Sequence, residues 1–80
     1  DLDTEFIADV LKEKGAKNKL IRLFSCNPGK EFDVDFLAII CVGNRDWTRV
    51  IRDIRQNEDM NIVHIRKSID CPNGGYIYLP

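Results

Sequence analysis

Apolar and polar positions follow two different periods along this chain, and the clearest stretch is Asn44–Asn57, NRDWTRVIRDIRQN. Trp47, Val50, Ile51 and Ile54 fall at i, i+3, i+4 and i+7, the spacing of a helix that buries one stripe. At about 100° per residue, Arg45, Arg49, Arg52 and Gln56 lie on the opposite side, with Thr48 and Arg55 flanking them. Such a helix needs a core on one side and presents a cationic, hydrogen-bonding ridge on the other. The bland reading is a solvated face, with Arg52 and Arg55 spent on acids such as Asp53, Glu58, Asp59 or Asp35.

Upstream, Phe6, Ile7, Val10 and Leu11 repeat at helical spacing behind Thr4 or Asp3 as cap, and Gly15 is the expected stop. Residues 1–15 are expected to form a helical extension on a domain of residues 16–80. A second helix is expected over Ala16–Ser25, with Leu20, Ile21, Leu23 and Phe24 inward and Lys17, Lys19 and Arg22 exposed. Asn27-Pro28-Gly29 ends it by turn chemistry. Lys30–Val34 alternates briefly, enough for one short strand. Asp33 or Asp35 then caps a helix with its body at Phe36–Val42 and Gly43 as its C′ residue. A tight turn, Gly43-Asn44-Arg45, leads to the arginine-bearing helix, which Asp46 or Asn44 is placed to cap.

Past Asn57 the period shortens from about 3.6 residues to about 2. Asn61–Ser68 sets Ile62, His64, Arg66 and Ser68 against Val63, Ile65 and Lys67. A turn-rich loop, Ile69–Gly75, follows, and Tyr76–Leu79 reads as a second strand. Helix, strand, helix, helix and terminal hairpin in this order predict an α+β winged helix-turn-helix. The extra N-terminal helix precedes it, and the C-terminal β-hairpin is the wing.

Composition narrows what such a fold can do. Eighty residues make one domain, near the lower limit for a core without staples. At 44% hydrophobic and 31% charged the chain is neither disordered nor membranous in composition, and no apolar run nears the roughly 18 residues of a spanning helix. Because it begins at Asp1 rather than Met, it is expected to be a domain of a longer protein. Cys26, Cys41 and Cys71 are an odd number with no CxxC pair, which favours a reducing cytoplasm. Their spacing with His64 matches no common zinc pattern, and no cofactor is expected. Asp33, Asp35 and Lys30 are explained by capping, and there is no Gly-rich phosphate loop. Neither catalytic residues nor metal ligands are therefore assigned.

Net charge is −1, which argues against a purely electrostatic nucleic-acid binder. The charge is nevertheless unevenly placed. Residues 1–16 carry five acids against two lysines, whereas residues 44–67 carry six bases against four acids. An excess gathered on one face can support binding of modest affinity.

Trp47, Arg49, Ile51, Arg52, Ile54 and Arg55 are followed by Asn61-Ile62 entering a strand, an Asn73-Gly74-Gly75 turn and Tyr76-Ile77-Tyr78-Leu79. This pattern resembles winged-helix DNA-binding domains appended to bacterial restriction endonucleases and His-Asn-His type nucleases, some of them methylation-dependent. The resemblance covers about residues 17–79 and departs at Asp59-Met60, where such domains often carry a Gly and an aromatic. It implies a module for double-stranded DNA, methylated or not, that serves as target-recognition domain of a restriction or related endonuclease in the bacterial cytoplasm. The rest of the parent chain would be its other partner, and no membrane is implied.

The N-terminal part of a recognition helix enters the major groove. That assigns Asn44, Arg45, Thr48, Arg49, Arg52 and Gln56 to the DNA side; Thr48 suits a base methyl group or a phosphate. In the wing, Arg66, Lys67, Asn73 and Gly74 are expected beside phosphate or minor groove. Trp47 is expected in the core, Tyr76 and Tyr78 in sheet packing, and His64 in a structural role. The competing expectation is a winged helix, or a regulator domain, whose same face docks a protein without touching DNA. The isoelectric point of about 5.7 keeps it in play.

Overall fold

The computed structural model describes residues 3–80. Its elements follow in the order α1 (Thr4–Lys12), α2 (Gly15–Ser25), β1 (Glu31–Asp33), α3 (Val34–Ile40), α4 (Trp47–Asn57), β2 (Ile62–Ile65) and β3 (Gly75–Tyr78). The strands form one antiparallel sheet of order β1-β3-β2, so the last strand lies between the other two. β2 and β3 make a hairpin from Ile62 opposite Tyr78 to Ile65 opposite Gly75. β1 joins the far edge of β3, with Phe32 opposite Tyr76. The molecule is thus an α+β domain of four helices and a small three-stranded sheet. Among the described residues, no helix is long and apolar enough to cross a membrane.

Local chemistry moves several boundaries from those expected. Asp3 caps α1 by accepting from the Glu5 N–H at 3.0 Å, but the helix ends at Lys12 with Glu13 as its cap. Gly15, the expected stop, instead opens α2 with φ +83°. Asp33 caps α3 by accepting from the Asp35 N–H at 2.8 Å, so the helix starts at Val34, two residues before the expected Phe36. It finishes at Ile40 with Cys41 as C-cap, which leaves Gly43, at φ +86°, one residue beyond the C′ position.

α4 begins at Trp47, not Asn44. Asn44 Oδ1 accepts from the Asp46 N–H at 3.0 Å, an Asx turn that holds the preceding backbone out of the helix. Asp46 then occupies the N-cap position without a side-chain cap bond, so neither expected capping residue caps by its side chain. β2 stops at Ile65 rather than Ser68 and does not alternate strictly: Ile62 is buried, while both Val63 and His64 are exposed.

The core explains why these elements stay together. α2 is the hub and packs against α1, α3, α4 and β3. Its Leu20, Leu23 and Phe24 are fully buried, alongside Val10 of α1, Leu37 and Ile40 of α3, Ile51 and Ile54 of α4, and Phe32 and Ile62 of the sheet. An isolated helix of 11 residues is marginal in water. α4 therefore persists because Ile51 and Ile54 are buried, each contributing about 1.5–3 kcal/mol. Trp47 departs from its expected core position. It is only half-buried in the first turn of α4 and meets the Tyr76 ring edge-on, with centroids 6.1 Å apart and planes at 81°.

The sheet has one position with no room for a side chain. A Cβ on Gly75 would overlap the Phe32 carbonyl and come within 2.8 Å of Cys71 Sγ. Gly75→Ala is expected to lower stability by roughly 1–3 kcal/mol, read as a lower urea midpoint; an unchanged midpoint would refute this close approach. Trp47→Ala is expected to cost about 2 kcal/mol, below the range for fully buried aromatics. A loss as large as that of a central core residue would mean that Trp47 is buried more deeply than described.

Candidate nucleic-acid interface

The outward side of α4 follows from the inward one. With Ile51 and Ile54 fixed against α2, Thr48, Arg49, Arg52, Arg55 and Gln56 are all exposed. None of these arginines is neutralised within the fold. Lys17 of α2 instead takes the nearest acids, its Nζ lying 3.1 Å from Asp53 and 3.5 Å from Glu58. Arg22 takes the acids of α1, Asp9 at 3.9 Å and Glu13 at 3.5 Å. Among the described residues, Arg45, Arg49, Arg52, Arg55, Arg66 and Lys67 make no ion pair. The competing reading, in which Arg52 and Arg55 pair with Asp53, Glu58, Asp59 or Asp35, is not seen among the described residues, and a lysine from another helix lies on Asp53 and Glu58.

This clamp is electrostatically visible. The Asn57 amide and then the Lys17 ammonium hold the Asp53 carboxyl below its ordinary value. Lys17 is raised in turn, chiefly by its hydrogen bond to Asp53. Pairs this exposed contribute little stability. Their consequence is one of charge placement: the Lys17 ammonium lies between Asp53 and Glu58 and offsets one of their two negative charges on the α2 side.

The remaining assigned residues are placed less uniformly. Asn44 and Arg45 precede α4; Asn44 is half-buried and engaged with Asp46, and Arg45 is exposed in the turn. Arg66 and Lys67 are exposed just beyond β2. Asn73 is exposed, but its Nδ2 donates to Asp35 Oδ2 at 2.9 Å, which ties the β2–β3 loop to α3. Gly74 is buried with φ +88°. Its N–H donates to the Cys71 carbonyl at 3.0 Å, and its own carbonyl accepts from the Val34 N–H at 3.0 Å. Gly74 thus uses its backbone groups inside the fold. Further along, the Ser68 hydroxyl donates to Glu31 at 2.8 Å and accepts from the Cys71 N–H at 3.0 Å. The β2–β3 loop is pinned at its base, and Ile69 is fully exposed.

Two shallow clefts border α4. One, of about 540 Å³, is lined by Arg52, Arg55, Gln56, Asp59, Met60 and Asn61. The other, of about 430 Å³, lies at the α3–α4 turn between Val42, Asn44, Arg45 and Trp47, and Val42 is exposed there. The first brings in Arg55, Asp59 and Asn61, which were not assigned from the sequence. Asp59 adopts φ +54°, in the left-handed region, between α4 and β2, and lines the cleft.

His64 is exposed with its ring 5.1 Å from Tyr76. Cys26 is exposed, whereas Cys41 and Cys71 are buried. Burial pushes the Cys41 thiol up to about 11 and raises that of Cys71, so both remain protonated at neutral pH. Among the described residues, no three His, Cys, Asp or Glu side chains gather as a metal site. The chain matches no protein-family model, no curated protein and no solved structure.

The Lys17 clamp has a pH signature. A carboxyl lowered in the folded state stabilises the fold fully above its unfolded value near about 3.9, and this contribution is lost as pH falls through the folded value. A carboxyl-detected NMR titration should find Asp53 below the ordinary aspartate range. Lys17→Met should raise it only part of the way back, because Asn57 remains. An Asp53 unchanged by Lys17→Met would remove the clamp from the account.

Proposed function

We propose that this chain is a winged-helix module that binds double-stranded DNA through α4 and the β2–β3 wing. The observation that carries the reading is the solvent-facing row Arg49, Arg52 and Gln56, unpaired because Lys17 holds Asp53 and Glu58. Three further features support it. The element order and the position of β3 between β1 and β2 are compatible with a winged helix. A connection of six residues, Cys41–Asp46, longer than the expected three-residue turn, brings α4 directly after α3, the helix succession of a helix-turn-helix. Arg66 and Lys67 stand free where the hairpin leaves the sheet.

Physically, α4 spans 11 residues, about 16 Å at 1.5 Å per residue, and a major groove about 12 Å wide admits such a helix. Arg49 and Arg52 can bind guanine O6 and N7 bidentately or grip phosphate. Thr48 suits a base methyl group or a phosphate. Arg66 and Lys67 would neutralise the flanking backbone. In this reading the domain supplies binding and no catalysis, and the nuclease resemblance makes it the target-recognition part of a longer enzyme.

A second reading is favoured by one specific observation. Val42, 73% exposed, lines the cleft at the α3–α4 turn, and Ile39 of α3 is 69% exposed; exposed apolar side chains are what a docking partner would cover. The two readings separate by titration against short duplexes at several salt concentrations. DNA binding predicts that log Kd changes linearly with log salt, with a slope of about 0.9 per phosphate neutralised. Arg49→Ala should weaken binding about tenfold, the equivalent of a contact worth about 1–3 kcal/mol, while leaving the thermal midpoint within a degree or two. Absence of duplex binding, or a salt-independent affinity, would overturn the DNA reading in favour of a protein partner.

A further inference from the structure

The cleft at the C-terminal end of α4 asks for an anion. Arg55 and Gln56 lie three and four residues after Arg52, so each neighbours it on the helical surface, and Asn61, just before β2, lines the same cleft. Met60, half-buried against the core, supplies an apolar surface. Neither guanidinium has a carboxylate partner among the described residues. The wall therefore offers two Arg forks and two side-chain amides, the donor set that suits tetrahedral oxyanions.

Two features oppose the anion. The helix C-terminus carries about half a negative charge, and Asp59 lines the same cleft with a full one. The two arginines exceed both, so Asp59 limits the site without abolishing it.

We infer that this cleft is a phosphate-binding site tuned by Asp59. Resting on the proposed DNA reading, its occupant is a phosphodiester of the duplex backbone, gripped one end of α4 away from Thr48 and Arg49. The contact anchors the helix in the groove without reading a base, because phosphate carries no sequence information. Asp59 has a further consequence. Its φ of +54° is a conformation that Asn adopts as readily as Asp. Asp59→Asn thus removes the opposing charge while keeping the turn.

The test uses the intact chain and two variants, Arg55→Gln and Asp59→Asn, with duplex affinity measured across a salt series. Inorganic phosphate is titrated in parallel by amide NMR. Arg55→Gln should weaken duplex binding several-fold equally for all sequences and reduce the salt slope by about 0.9. Asp59→Asn should tighten binding several-fold, again without changing sequence preference. If the chain binds duplex and both variants match it, the phosphate site is overturned while the interface of α4 stands. If the chain binds no duplex, the DNA reading fails and inorganic phosphate decides. Shifts at Arg55, Gln56 and Asn61 that Asp59→Asn enlarges would support a site for free phosphate. Their absence would overturn the site as well.

Discussion

Burial of Ile51 and Ile54 against α2 is the constraint on which everything else rests. α4 is too short and too charged to be helical alone, so its geometry is that of its docking. Once those two side chains are inside, the rotation of the helix is set, and Arg49, Arg52 and Gln56 face solvent. Lys17 completes the arrangement from the helix that α4 packs on. It spans Asp53 and Glu58, so the same docking that buries the stripe also removes the nearest acids from the arginines. Core packing and surface charge are here two results of one helix–helix contact.

The sheet plays a supporting part with its own constraint. β3 is held on both edges, by β1 and β2, and Gly75 lets it approach the Phe32 backbone. The β2–β3 loop is tied at its base by Ser68, Cys71 and Gly74, and at its side by the bond from Asn73 to Asp35. Arg66, Lys67 and Ile69 project from a pinned loop. Trp47 and Tyr76 join α4 to the same hairpin edge-on, so the helix and the hairpin are positioned together.

The stripe of α4 and the helical spacing of α1 and α2 were legible because burial periodicity is local. Legibility failed where side chains or distant partners decide. α4 starts at Trp47 because the Asn44 side chain turns the backbone, and α3 starts early because Asp33 caps it. Trp47 looked central in the stripe but lies in the first turn, where the helix has less core to meet. The pairing of β1 with β3 joins segments far apart in the chain and leaves no periodic trace. Lys17 read as an exposed cation, since nothing local points it at α4. Arg52 and Arg55 were left open to pairing with Asp53, Glu58, Asp59 or Asp35 for the same reason. Asp59 was not assigned to a site from the sequence, and its place in the cleft wall depends on the turn it makes between α4 and β2.

The most direct test of the interface is amide NMR mapping of the whole chain with a short duplex added at low salt. The account predicts that the largest shifts fall on Thr48, Arg49, Arg52 and Gln56, with a second group at Arg66 and Lys67 and none on α1. Shifts confined to Ile39, Val42 and the α3–α4 turn, or no shifts at all, would contradict it.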